Sequence, residues 1–281
     1  MEDFNSFFKT VDGNEGGKCH YNSRLDTYGC GCQHDCSYCY AKSLLDFRGL
    51  WNPKAPRIAP IDEVKKAIKK FPRNQVVRLG GMTDCFQPLE KTVRNTYKAI
   101  RLLNMKKQPY LIVTKSAMVA DDEYLSILDK DLAHVQITVT TFDDKLCASY
   151  EKASPPSKRV EAIEKLQKNG FDVQLRLSPF IPQYVEFEKL NSVECDKILV
   201  EFLRTNHWIE NWFPISYSEY TVKQNGYHHL PLERKLDYIS LIKDFKEMSV
   251  CEDENRAYQY WQKHFNHNPD DCCNLRRKDG H

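Results

Sequence analysis

The chain has 281 residues, 41% hydrophobic and 28% charged, so it carries enough apolar side chain for a full core and is neither a disordered segment nor a disulfide-stapled mini-protein. Lysine and arginine number 41 against 39 acidic residues, a formal charge of +2 that neither demands nor forbids a nucleic-acid partner. A mean hydropathy of −0.63 and the lack of any apolar run near ~18 residues argue against a membrane span, and MEDFNSFFKTVDG lacks the basic-then-apolar layout of a secretory signal, so a cytoplasmic protein is expected.

From about residue 60 helix and strand patterns alternate. Ile61, Val64, Ile68 and Phe71 mark one face of a helix that runs into the strand VVRL at 76–79. Val93, Tyr97 and Ile100 mark the next helix, followed by the apolar strand YLIV at 110–113. Asp121 or Asp122 caps a short helix holding Tyr124 and Leu128, ahead of the β-branched strand VQITVTT at 135–141. Ser157 caps a helix with Val160, Ile163 and Leu166 that ends at Gly170, before the strand FDVQLRLSPF. KILVEFL at 197–203 reads as a further strand. The last cycle is a helix through Leu236, Ile239, Ile242 and Phe245, a strand near 249–251, and a helix capped around Asp253. About six β/α units without a linker predict an α/β fold with a mainly parallel sheet, a partial (β/α)6 barrel of the TIM type. The barrel is expected to occupy residues 1–250, with 251–281 as a cysteine-containing extension.

The eleven cysteines are an odd number, and without an export signal reduced thiols or metal ligands are the expected use. Cys32, Cys36 and Cys39 form a CxxxCxxC loop. Three thiolates on one tight loop suit three irons of a cubane cluster and leave the fourth iron open to a small molecule. The same loop also suits a zinc knuckle, with Cys30 or His34 as the fourth ligand.

CxxxCxxC with an aromatic residue before its last cysteine resembles the radical S-adenosylmethionine (SAM) superfamily. GCQHDCSYCYA at 31–41, TDCFQPLE at 83–90, VTKSAMVADDEYL at 113–125, ITVTTFDDKL at 137–146 and the long stretch 150–182 resemble, in order, the branch related to spore photoproduct lyase, the DNA repair photolyases. The resemblance implies a [4Fe-4S] cluster on Cys32, Cys36 and Cys39, with SAM chelating the open iron. It implies reductive cleavage of SAM to a 5′-deoxyadenosyl radical inside the barrel, and a low-potential electron donor of flavodoxin or ferredoxin type.

Gly80, Gly81, Thr83 and Asp84 stand where the family binds the amino group of SAM, although a plain strand-to-helix turn would also use two glycines there. Lys115, Ser116, Thr138, Thr140, Arg176 and Ser178 lie at strand ends and read as a ligand-facing mouth, with Arg176 placed to neutralise the SAM carboxylate. Tyr38 is expected either near adenine or in the core. The hydrogen-donor cysteine of spore photoproduct lyase falls at Gly81 here, so repair of the spore thymine dimer is not expected. Cys85 is the alternative donor, or an inert core thiol.

Cys251, Cys272 and Cys273, with His264 and His267 between them, suit an auxiliary iron–sulfur cluster or metal clip; the plainer reading is a tail packed over the barrel. This ending resembles the radical SAM mobile pair proteins, which implies a second radical SAM protein as partner. Arg276, Arg277 and Lys278, with Tyr258, Tyr260 and Trp261, suit a nucleic-acid grip or a solvated tail. Lys65, Lys66, Lys69 and Lys70 read as the wet face of a helix. The expectation is therefore a radical SAM enzyme, lyase-like or modifying, whose unidentified substrate is nucleic acid before peptide or small molecule. The rival is a non-enzymatic zinc or iron–sulfur module.

Overall fold

The computed structural model describes residues 7–276. Arg277 and Lys278 of the basic tail lie outside the described residues. Among those described, eight strands form one sheet: β1 Phe8–Thr10, β2 Ser23–Leu25, β3 Val77–Leu79, β4 Tyr110–Thr114, β5 Ala133–Thr138, β6 Asp172–Phe180, β7 Lys197–Phe202 and β8 Glu247–Val250. They lie side by side in chain order. Only β1 runs antiparallel to its neighbour; β2 to β8 are parallel. Parallel neighbours need crossovers, and helices α1 Ile61–Lys70, α2 Asn95–Lys106, α3 Pro156–Lys168 and α4 Leu232–Ile239 supply four of them.

The period-2 alternation of the strands decides what each face meets. Ile112, Val135, Ile137, Val173, Leu175, Ile198 and Val200 point outward and share one core with Val64 and Ile68 of α1, Ile100 and Leu103 of α2 and Ile163 and Leu166 of α3. Each such fully buried aliphatic stabilises the fold by about 1.5–3 kcal/mol, enough to set the register of every strand. The intervening positions turn inward, apolar at Leu111 and Leu199 and polar on the two strands between them. Gln136 Nε2 donates to Gln174 Oε1 at 2.8 Å, and His134 Nδ1 lies 2.5 Å from Asp172 Oδ2.

The structure corrects several expected details. Two strands, β1 and β2, precede the cysteine loop. Ser157 sits inside α3 and donates to Asp144 Oδ2 at 2.7 Å instead of capping the helix. Helix α5, Asn255–His264, is capped by Glu254, whose side chain accepts from Arg256 N–H and Ala257 N–H; Asp253 stands one residue outside.

The sheet does not close, because β8 and β1 are not paired. The two chain ends bridge the gap. Lys18 Nζ donates to Asn255 Oδ1 at 2.6 Å and Tyr21 Oη to Asp271 Oδ2 at 2.5 Å. Lys197 Nζ donates to the Asn274 carbonyl at 2.7 Å, and Arg276 N–H to Asp172 Oδ2 at 2.8 Å. Cys273 and Leu275 thereby bury against Leu111 and Leu199 on the inner face of the sheet. Among the described residues no helix is long and apolar enough to cross a membrane.

Candidate active site

The CxxxCxxC loop follows β2 and is shaped by close backbone approaches. A Cβ on Gly31 would lie 2.0 Å from the Asn52 carbonyl oxygen, so only glycine fits there. Asp35, between the first two cysteines of the motif, adopts a left-handed φ of 45°, a conformation that aspartate tolerates better than most residues. Two neighbouring segments grip the loop. On one side Gln33 N–H donates to Gln87 Oε1 at 2.9 Å while Leu89 N–H donates to Gln33 Oε1 at 2.6 Å. On the other, Ser37 N–H donates to the Tyr150 carbonyl and Lys152 N–H to the His34 carbonyl.

So held, Cys32, Cys36 and Cys39 line one wall of a cavity of about 220 Å³ at the C-terminal ends of the strands. All three thiols are free. Burial, with the Asp84 carboxylate adding to it, pushes the Cys32 thiol up to about 12. Burial and then the Glu151 carboxylate raise Cys36, and burial raises Cys39. The metal-free thiols hold their protons, so a metal that binds them must displace those protons. The donor set fits an iron–sulfur cluster better than a zinc knuckle. Cys30 is not part of the cavity wall, and His34 points its Nε2 at Asp84 Oδ2, 3.2 Å away.

Gly80, Gly81, Thr83, Asp84, Lys115, Thr138, Arg176 and Ser178 all border the same cavity, as the sequence predicts. Gly80 has φ +87°, and a Cβ there would stand 2.8 Å from the Val113 carbonyl oxygen. A residue that sequence reasoning missed fixes this turn. Asp26, fully buried, accepts from the N–H groups of Gly81 at 2.8 Å, Met82 at 3.1 Å and Thr83 at 3.2 Å.

The side chains of the turn are engaged within the protein. Thr83 Oγ1 donates to the Tyr28 carbonyl at 2.6 Å. Asp84 accepts from Thr114 Oγ1 at 2.8 Å and Lys115 N–H at 2.7 Å. Burial would raise the Asp84 carboxyl, but neighbouring His34 and these N–H donors hold it at about 2.

Other expectations are corrected. Arg176 does not present a free fork, since it donates to Gln136 Oε1 at 2.7 Å and pairs with Glu201. Burial would raise the Glu201 carboxyl, yet Arg176 keeps it at about 2. Ser116 turns away from the cavity and accepts from Met118 N–H at 3.3 Å. Thr140 Oγ1 meets Tyr150 Oη at 2.9 Å. Cys85 lies in the core, its thiol 3.6 Å from the Leu25 carbonyl, raised by burial and off the cavity wall. Trp261 is fully buried and offers no stacking face.

Tyr38 is buried and borders the cavity, and its hydroxyl donates to Glu151. Glu151 is the second residue missed. With no exposure it pairs with equally buried Arg159 at 2.6 Å, and Cys147 Sγ lies 2.8 Å from the same carboxylate oxygen. Lys115 stands over the Tyr38 ring at 5.6 Å. Its ammonium donates to the Ser178 carbonyl at 3.5 Å and makes no ion pair among the described residues.

The profile of the radical SAM superfamily matches residues 27–187, more than half of the chain. The chain belongs to the radical SAM superfamily. It is a radical SAM enzyme, and its cofactors are a [4Fe-4S] cluster and SAM. It is 26% identical over 200 residues to an uncharacterized protein of Methanocaldococcus jannaschii, covering 66% of this chain and 75% of that one. It is 27% identical over 168 residues to an uncharacterized protein of Acidianus two-tailed virus, covering 54% of each. Spore photoproduct lyase with bound AdoMet and dinucleoside spore photoproduct superposes with a TM-score of 0.61 at 15% identity, over 84% of this chain and 74% of that one. Streptococcus suis SuiB bound to precursor peptide SuiA gives 0.53 at 15% identity, over 84% and 50%. These two likenesses show the radical SAM fold alone.

Proposed function

We propose that this radical SAM enzyme holds its [4Fe-4S] cluster on Cys32, Cys36 and Cys39, binds SAM against the fourth iron, and acts on a nucleic acid. The observation that carries the cofactor assignment is the meeting of three thiols from one loop with the Asp26-braced turn at Gly80–Thr83 and the unpaired Lys115 around one cavity. When bound, cluster and SAM supply a one-electron reductive cleavage of SAM and radical chemistry on the substrate.

The protein's own part is binding and exclusion of water. Lys115, which makes no ion pair among the described residues, meets the SAM carboxylate, since Arg176 is already held by Glu201. The turn that puts Gly80–Met82 on the cavity wall depends on the missing Cβ of Gly80, which would strike the Val113 carbonyl oxygen. Residues 1–250 act as the catalytic barrel, 251–281 as its extension. A low-potential flavodoxin or ferredoxin in the cytoplasm supplies the electron.

Support for nucleic acid comes from the helix that follows the cysteine loop. The short helix Tyr40–Leu45 follows Cys39 and packs on helix His207–Trp212, with Lys42 Nζ 4.3 Å above the Trp212 ring. Trp208 of that helix is 46% exposed, and Phe47, 60% exposed, lies against Arg48. Aromatic faces next to cations stack bases and hold phosphates. The likeness to spore photoproduct lyase, seen with a dinucleoside photoproduct, points the same way.

The test is SAM cleavage by anaerobically reconstituted enzyme under dithionite, with single- and double-stranded oligonucleotides or peptides added. Stimulation by oligonucleotide together with modified bases is the expected result. Stimulation by peptides alone would replace the nucleic-acid reading with a peptide modifier, and zinc in place of iron would remove the cofactor assignment.

A further inference from the structure

Four cysteines outside the CxxxCxxC loop gather where the two ends of the open sheet meet. Cys19 comes from the segment before β2, Cys251 directly follows β8, and Cys272 and Cys273 belong to the tail. The Cys272 thiol hydrogen-bonds with those of Cys251 and Cys273. Cys19, Cys251 and Cys272 pack around Cys273, Tyr21, Leu111 and Leu199. All four thiols are free, although they approach one another from segments more than 200 residues apart in sequence. Two guanidinium groups act on the thiols: Arg78 on Cys19 and Arg176 on Cys273. Scattered core thiols would have neither the mutual contacts nor the facing cations.

We infer that Cys19, Cys251, Cys272 and Cys273 form a second metal site, a four-thiolate iron–sulfur cluster bordering the reaction cavity. The spacing favours a cluster over a single ion. One zinc at ~2.3 Å from each sulfur draws the sulfurs to within about 3.8 Å of one another. Among the described residues, the group of three whose ligand atoms all lie within 4.8 Å is His229, Glu252 and Asp253, and no three cysteines close that far. The CxxxCxxC trio, whose role is to hold a cubane, is spread in the same way. The His229 group is itself no rival site, because Glu252 pairs with Lys235 and Asp253 with Arg204.

Cys19 and Cys251 line the same cavity as Cys32, Cys36 and Cys39, and Arg78 and Arg176 line it too. Four cysteines on four irons leave no iron open. This site therefore holds its cluster closed while the first site keeps a position for SAM. The inference does not depend on the substrate reading above.

The experiment is iron, sulfide and zinc analysis with EPR on anaerobically reconstituted full-length protein. Wild-type protein is expected to bind about eight irons, twice the four of a single cubane. The variant Cys32→Ser/Cys36→Ser/Cys39→Ser should retain about four, with a reduced-state signal that SAM does not alter. Cys19→Ser/Cys251→Ser should keep about four, with a signal that SAM does alter. Mössbauer spectra of the wild type loaded with 57Fe give the same count without any variant, so a variant that fails to fold does not spoil the test. About four irons in the wild type, an iron-free triple variant that keeps its native circular dichroism, or one zinc per chain in its place would overturn the second cluster. Loss of the SAM-sensitive signal in the wild type would instead overturn the first.

Discussion

The buried pair Glu151–Arg159 braces the cluster loop from behind, and breaking it from both sides should cost less than the sum of breaking it from each side alone. Each side chain has no exposure and they meet at 2.6 Å. Arg159 also donates to the Ser154 carbonyl at 2.6 Å and the Thr138 carbonyl at 3.1 Å, while Glu151 accepts from Tyr38 of the loop. Burial would raise the Glu151 carboxyl, yet the guanidinium brings it from its ordinary 4.5 to about 2. That depression corresponds to about 3 kcal/mol, in line with the ~3–5 kcal/mol lost when one partner of a buried pair is removed.

Glu151→Gln or Arg159→Met should therefore each destabilise the metal-free protein at pH 7 by about 3–5 kcal/mol, read as a Tm lower by roughly 6–15 °C. The double variant should lose less than the sum of the two by at least about 2 kcal/mol, because it leaves no lone buried charge. Since the folded-state value is depressed, the stabilisation is present above pH 4.5 and is lost as the pH falls toward 2. The gap between wild type and Glu151→Gln should shrink over the same interval. Denaturant titrations of the four proteins at pH 7 and pH 3 measure this. Single variants that cost under ~1 kcal/mol, or strictly additive losses, would refute the pair as a brace.

Other outcomes follow from the site. Replacing Cys32, Cys36 or Cys39 by Ala should abolish SAM cleavage, since each removes the ligand of one iron; 5′-deoxyadenosine formation above background in any of them would contradict the assignment. Gly80→Ala should weaken SAM binding at least ~10-fold and lower stability by about 1–3 kcal/mol, because φ +87° and the Val113 oxygen at 2.8 Å both resist a Cβ. Equilibrium binding and thermal melts report it. Lys115→Met should raise the SAM Kd by about 10–100-fold, the ~1.5–3 kcal/mol of a charged hydrogen bond, with first-site iron content unchanged. An unaltered Kd would move the carboxylate partner elsewhere.

Alternation of polar and apolar residues made β5, β6 and β7 legible, since one face of each had to meet helices. The cysteine loop was legible because three thiols at that spacing have few other uses. Strands β1 and β2 were not, being only three residues each and lacking a periodic signal. Asp26 and Glu151 were missed for a related reason. Their work is to satisfy N–H groups and a guanidinium supplied by segments distant in sequence, and no local spacing announces such partners. Arg176 was read as a free cation because Glu201 lies 25 residues beyond it. Cys19 was not singled out, since only the closing of the sheet's two ends brings it to Cys251.

That closing also explains why the tail is more than a cover. A sheet left open between β8 and β1 exposes its inner face at the N-terminal ends of β5 to β7, where polar residues meet Leu111 and Leu199. The tail fills this end with Cys273 and Leu275, only 8% and 9% exposed. Its backbone satisfies Asp172 and Lys197, and Asp271 takes the Tyr21 hydroxyl. Ending the chain after Phe265 would uncover about two aliphatic side chains at ~1.5–3 kcal/mol each and take one hydrogen bond each from Asp172, Lys197 and Tyr21 at about 1 kcal/mol each. Water admitted there offsets part of that loss, so the truncated, metal-free protein should lie about 3–6 kcal/mol below wild type, measured by denaturant titration with both proteins reduced. A truncation that melts like wild type would mean the tail merely rests on the barrel. A loss well above this range even without metal would show that the two ends of the sheet depend on the tail to stay together.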